Sequence, residues 1–68
     1  MKNLEVKMRG WLVEFRRKAG LTQEELATTC GISRQYYGFI ESGVRNASVT
    51  VAKRIAEVLG FSWQRFFE

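Results

Sequence analysis

Apolar residues recur every three or four positions over two stretches of the chain: Leu4, Met8, Leu12, Phe15 and Ala19 in the first, and Val51 or Ala52, Ile55, Ala56 and Leu59 in the second. This is the spacing of one helix face, and the alternation of a half-buried strand is absent. Three times the chain is punctuated by a glycine, an apolar residue and a hydroxyl: Gly20-Leu21-Thr22, Gly31-Ile32-Ser33 and Gly60-Phe61-Ser62. Glycine adopts the left-handed conformation that ends a helix, the apolar residue packs back on it, and the hydroxyl accepts from the first free N–H groups of the next helix. The same apolar residue stands just before the new cap, so Leu21 pairs with Leu26, Ile32 with Tyr37 and Phe61 with Phe66 as hydrophobic staples. Thr22 and Glu25 form a capping box, and Gly43 ends a further segment that Ser48 or Thr50 restarts.

These signals predict five short helices at about residues 4–19, 23–30, 34–41, 49–59 and 63–67. Gly10 lies away from the apolar stripe of the first helix and marks a fray or a later start. With 68 residues, the expected architecture is all-α, a compact five-helix single domain over residues 1–68.

The apolar fraction of 46% and charged fraction of 26% suit a globular protein, and no apolar stretch approaches the roughly 20 residues of a membrane span. The N-terminus lacks the apolar core of a secretory signal, and the lone Cys30, read as a small buried core residue, suits a reducing compartment; the expected location is cytoplasmic. One cysteine and no histidine leave too few soft ligands for an ordinary zinc site and no imidazole for acid–base catalysis. No metal, no cofactor, no small-molecule ligand and no enzymatic activity are therefore expected. Net charge is +4, with pI near 9.7, and the excess equals that of residues 1–20, which hold six basic and two acidic side chains. A basic domain points to a polyanionic partner, either nucleic acid or an anionic membrane surface.

The segment of residues 23–41 narrows this choice. It places two short helices around a three-residue turn, with Ala27 at the close approach, Gly31 at the corner, and Tyr37 and Ile40 where the second helix meets the core. That is how a helix-turn-helix is built. On a helical wheel Tyr37, Ile40 and Glu41 share one side of the third helix, whereas Gln35 and Phe39 point the other way, flanked by Tyr36 and Gly38, with Arg34 at the tip. Arginine matches guanine O6/N7, glutamine matches adenine N6/N7, and phenylalanine meets a thymine methyl.

Several strings extend the likeness: Phe15-Arg16, Thr22-Gln23-Glu24-Glu25-Leu26-Ala27, Gly31-Ile32-Ser33-Arg34, Ile40-Glu41-Ser42-Gly43 and Ala56-Glu57-Val58-Leu59-Gly60-Phe61-Ser62. Through them the chain resembles the Cro/CI-type (XRE) helix-turn-helix family of phage repressors and bacterial regulators, with a lambda repressor-like fold, over about residues 8–67. The resemblance implies a sequence-specific transcriptional regulator that binds double-stranded DNA as a homodimer, on a palindromic operator, with the third helix in the major groove. It implies base contacts from Arg34, Gln35, Tyr36 and Phe39, and DNA-backbone contacts from Thr22, Gln23, Ser33, Arg45 and Asn46. It also joins Arg16 to Glu41 in a structural ion pair. The chain departs from the family at Ala47, where proline is common, at Tyr37, where an aliphatic residue is, and at Phe39, where a polar one is.

A different class of function also fits: a protein-interaction module, antitoxin-like or a co-regulator, using the aromatics of the third or fifth helix. Phe61, Trp63, Phe66 and Phe67 are more than one short helix buries, so Trp63 and Phe67 are candidates for the homodimer interface. The alternative places Trp63 over the first helix near Trp11.

Overall fold

Hydroxyl caps and left-handed glycines set most of the helix ends. The computed structural model describes residues 8–68, in which α1 (Gly10–Lys18), α2 (Gln23–Cys30), α3 (Arg34–Ser42) and α4 (Val49–Leu59) precede a 3-10 helix, Trp63–Phe67. There is no strand among the described residues, and none of their helices is long and apolar enough to cross a membrane. Thr22 Oγ1 accepts from Glu25 N at 3.1 Å while Glu25 Oε1 accepts from Thr22 N at 2.8 Å, which is the reciprocal capping box. Ser33 Oγ accepts from Tyr36 N at 3.0 Å, and Ser48, rather than Thr50, caps α4 by accepting from Val51 N at 3.2 Å.

Two expectations are corrected. The fifth helix is a 3-10 helix rather than an α-helix, because five residues close almost no α-type bonds and such short pieces favour the tighter turn. There the Ser62 hydroxyl donates to Gln64 Oε1 at 2.5 Å instead of capping. The first helix begins at Gly10; of its expected span, residues 4–7 lie outside the described residues. Arg9 N donates to Glu41 O at 2.8 Å, which takes the chain off a helical path just before Gly10. Met8 is accordingly 66% exposed instead of joining the apolar stripe, and α1 turns Leu12, with half-buried Trp11 and Phe15, to the core.

The core is closed from all sides by Leu12 of α1, Leu26 of α2, Tyr37 and Ile40 of α3 and Ile55 of α4, each fully buried. Truncating one such aliphatic side chain to alanine costs about 2–5 kcal/mol. An aromatic layer seals the end near the C-terminus. There Trp11 meets Phe61 and Phe66 with ring centroids 5.2 Å from each, and Phe61 meets its staple partner Phe66 at 5.7 Å. Cys30 lies within the core, where burial pushes its thiol up, away from the reactive thiolate.

Candidate nucleic-acid interface

The turn between α2 and α3 is closed by the backbone. Gly31 has φ 73°, its N–H bonds Thr28 O at 3.1 Å, and Ile32 N reaches back to Ala27 O at 3.0 Å. A residue with a Cβ is strained at that φ. Ala27, 1% exposed, leaves room for α3 to pass close to α2.

α3 has two unlike faces. Tyr37, Ile40 and Glu41 are buried, whereas Arg34 and Gln35 are exposed, and Gly38 and Phe39 are half-buried between them. Tyr36 is half-buried on the flank, where its ring packs against the core and its hydroxyl accepts from Ser48 N at 3.3 Å. Its phenol thus ties α3 to the start of α4.

Beneath this surface, Glu41 is the one buried charged residue among the described residues. Its Oε2 accepts from Arg16 Nε at 2.5 Å and from the Tyr37 hydroxyl at 2.7 Å, and its Oε1 accepts from Gln23 Nε2 at 2.8 Å. Arg16 Nη1 also donates to Leu21 O at 2.9 Å. Burial pushes the Glu41 carboxyl up, but the hydrogen bonds from Arg16, Gln23 and Tyr37 outweigh it and hold the group below the usual carboxylate range. Burial, then the bond to Glu41, pushes the Tyr37 phenol up. Such a carboxylate is fully satisfied, and it fastens the entry of α2 to α1 and α3.

Of the expected backbone-contacting residues, Thr22, Ser33, Arg45 and Asn46 are exposed and Gln23 is half-buried; Ser33 caps the start of α3, and Arg45 N donates to Phe39 O of α3 at 3.2 Å. The hydroxyls of Thr22 and Ser33 are engaged as caps, and Gln23 spends one amide N–H on Glu41, leaving the other. Asn46 Oδ1 accepts from its neighbour Ala47 N at 3.0 Å. At the start of α2 the Thr22 cap satisfies Glu25 N, and the positive end of the helix dipole suits an anion.

The comparisons with known proteins agree on what this arrangement is. A family model described as Helix-turn-helix (HTH_3) matches residues 12–66. The chain belongs to that family. The HTH-type transcriptional regulator YqaF of Bacillus subtilis is 52% identical over 61 residues, which cover 90% of this chain and 80% of its own. An HTH-type transcriptional regulator of Archaeoglobus fulgidus is 47% identical over 75% of this chain and 73% of its own. The crystal structure of the restriction-modification controller protein C.AhdI from Aeromonas hydrophila matches with a TM-score of 0.72 and 38% identity, over 82% of this chain and 85% of that one. The protein is thus a DNA-binding helix-turn-helix transcription regulator of the XRE type.

Two arginines of the regulator do work that sequence reasoning missed. Arg9 donates from Nη1 to Ile40 O at 2.7 Å and to Arg45 O at 3.2 Å, and from Nη2 to Asn46 Oδ1 at 2.7 Å. It thereby caps the end of α3 and holds the loop carrying Arg45 and Asn46. Arg54 donates to Cys30 O at 3.2 Å, at the end of α2. A signal was present: neither α2 nor α3 has a basic residue in its last turn, so the carbonyls there need donors from elsewhere.

In the 3-10 helix of the regulator, Phe67 is 45% exposed and Trp63 half-buried, with ring centroids 6.0 Å apart. Trp63 does not lie over Trp11. Lys53 Nζ of α4 stands 5.1 Å from the Trp63 ring, while Trp11 is covered by Phe61, Phe66 and the Arg65 guanidinium, the last at 4.7 Å.

Proposed function

We propose that the regulator reads double-stranded DNA in a sequence-specific manner, as a cytoplasmic homodimer that sets α3 of each subunit into the major groove of a palindromic operator. The observation that carries this is the division of α3: the side holding Tyr37, Ile40 and Glu41 is locked inside, and Arg34 and Gln35 stand free at its exposed N-terminal half. In this reading Arg34 pairs with guanine, Gln35 with adenine, and Phe39 touches a thymine methyl, with Tyr36 beside them. Thr22, Gln23, Ser33, Arg45 and Asn46 hold the sugar–phosphate backbone on either side and fix the register of α3. The exposed Phe67 and the half-buried Trp63 supply the dimer contact.

Selection from a pool of random duplexes, followed by sequencing of the bound fraction, tests the reading. The expected product is a palindrome of two half-sites. A salt titration on that duplex separates it from a protein-interaction module, because log affinity falls by about 0.9 per neutralised phosphate for each log unit of salt. No enriched sequence, or binding indifferent to salt, rejects it.

A further inference from the structure

Six glycines stand in the chain, and four of them, Gly20, Gly31, Gly43 and Gly60, have φ between 73° and 85°. Backbone conformation accounts for those. Gly38 is different: it sits in the middle of α3, without a positive φ, and a Cβ placed on it meets no heavy atom within 4 Å among the described residues. Alanine fits there and is the better helix former, so folding alone favours a methyl group at this position. On the helix surface Gly38 adjoins Arg34 and Gln35 one turn before it, which are the exposed pair on the reading side.

From this we infer that Gly38 sets the depth of α3 in the groove: duplex atoms come to van der Waals distance of its Cα, in the volume that a methyl group would take. The inference rests on the DNA reading proposed above. Gly38 contributes by the side chain it lacks, and the regulator gives up helix stability in exchange for a closer approach. A second subunit is a poorer candidate for that space, because the exposed Phe67 and the half-buried Trp63 lie on a different element.

The test compares Gly38→Ala with Gly10→Ala, a second helical glycine, which opens α1 and whose added Cβ meets nothing within 4 Å among the described residues. The expected result is that Gly38→Ala raises the melting temperature while its affinity for the selected duplex falls by about tenfold or more, the scale of a methyl group forced into a filled contact. Gly10→Ala leaves that affinity unchanged. Substituting uracil for each thymine of the site then locates the contact. Recovery at one position marks a thymine methyl, and recovery at none marks a sugar or phosphate neighbour. A stabilised Gly38→Ala that binds as tightly as wild type overturns the inference, as does a lowered melting temperature, which would make any affinity loss a folding defect. A wild-type chain that prefers no duplex instead removes the DNA reading on which the inference rests.

Discussion

Arg16 Nε and Glu41 Oε2 lie 2.5 Å apart, and the Glu41 side chain is 4% exposed. Tyr37 shares that oxygen and Gln23 holds the other, so one carboxylate joins α1, α2 and α3. Taking one partner from a buried pair leaves the other charged and desolvated, at a cost of about 3–5 kcal/mol. Glu41→Gln is therefore expected to lose a large part of the roughly 5–15 kcal/mol that holds a domain folded. Tyr37→Phe, which deletes a single bond to a charged group, is expected to lose about 1.5–3 kcal/mol. Urea denaturation measures both. A Glu41→Gln midpoint equal to that of wild type would reduce the pair to the level of an exposed ion pair, under about 1 kcal/mol.

The same carboxylate predicts an acid limb of stability. Burial raises the Glu41 pKa, the bonds from Arg16, Gln23 and Tyr37 lower it further, and the folded value lies below the unfolded one. A depressed carboxylate contributes its full stability above the unfolded pKa, about 4.3, and loses it as pH falls from there through the folded value. The urea midpoint is thus expected to fall as pH drops below about 4, and Glu41→Gln is expected to flatten that limb. The chain has no histidine, the side chain whose ordinary pKa changes its charge between pH 5 and 8.

Base reading is tested by substitution at the exposed end of α3. Arg34→Ala and Gln35→Ala, both at exposed positions, are expected to leave the melting temperature near that of wild type. Each should cost about 1–3 kcal/mol on the selected duplex and relax preference at one base of each half-site. Gln23→Ala is expected to weaken all sequences alike. Affinities measured on a panel of single-base variants of the site check this, and an unaltered preference in both α3 variants would falsify the reading assignment.

The interruptions of the helices were legible in sequence because they are local. A glycine at positive φ, an apolar residue and a hydroxyl lie within three positions at Gly31-Ile32-Ser33, and each acts on its immediate neighbours. The two faces of α3 were legible for the same reason, as a matter of angular spacing. Arg9 was not, since its three acceptors lie 31 to 37 positions away, and no spacing rule connects them. Tyr36 illustrates an intermediate case. Its angle on the wheel puts it on the flank of the reading face, but its hydroxyl is long enough to reach Ser48 N, which only the packing of α4 reveals. The last helix divides the same way: its 3-10 form follows from its five-residue length, but which of its aromatics is covered is set by packing, with Phe66 drawn into the core at 5% exposure while Trp63 settles against Lys53.

The dimer prediction rests on the side of the 3-10 helix that the subunit does not cover. Phe66 is buried, but Phe67 beside it is 45% exposed, and its edge contact with Trp63 leaves an aromatic pair at the surface, with Val58 of α4 also 39% exposed. Exposed apolar surface of this kind marks interaction sites, and pairing the same patch across a two-fold axis removes it from water on both subunits. A two-fold dimer also places two copies of α3 at the separation of a half-site repeat, about 34 Å, as a palindrome requires. Sedimentation equilibrium is expected to show a dimer at micromolar concentration. Phe67→Ala should shift it toward monomer and weaken operator binding, with only a modest loss of monomer stability because the ring is already 45% exposed in the subunit. Trp63→Ala should do the same, with some loss of monomer stability because Lys53 and the core pack against that ring. A wild-type protein that stays monomeric at hundreds of micromolar and binds a single half-site as tightly as a full palindrome would remove the dimer and leave each α3 to read alone.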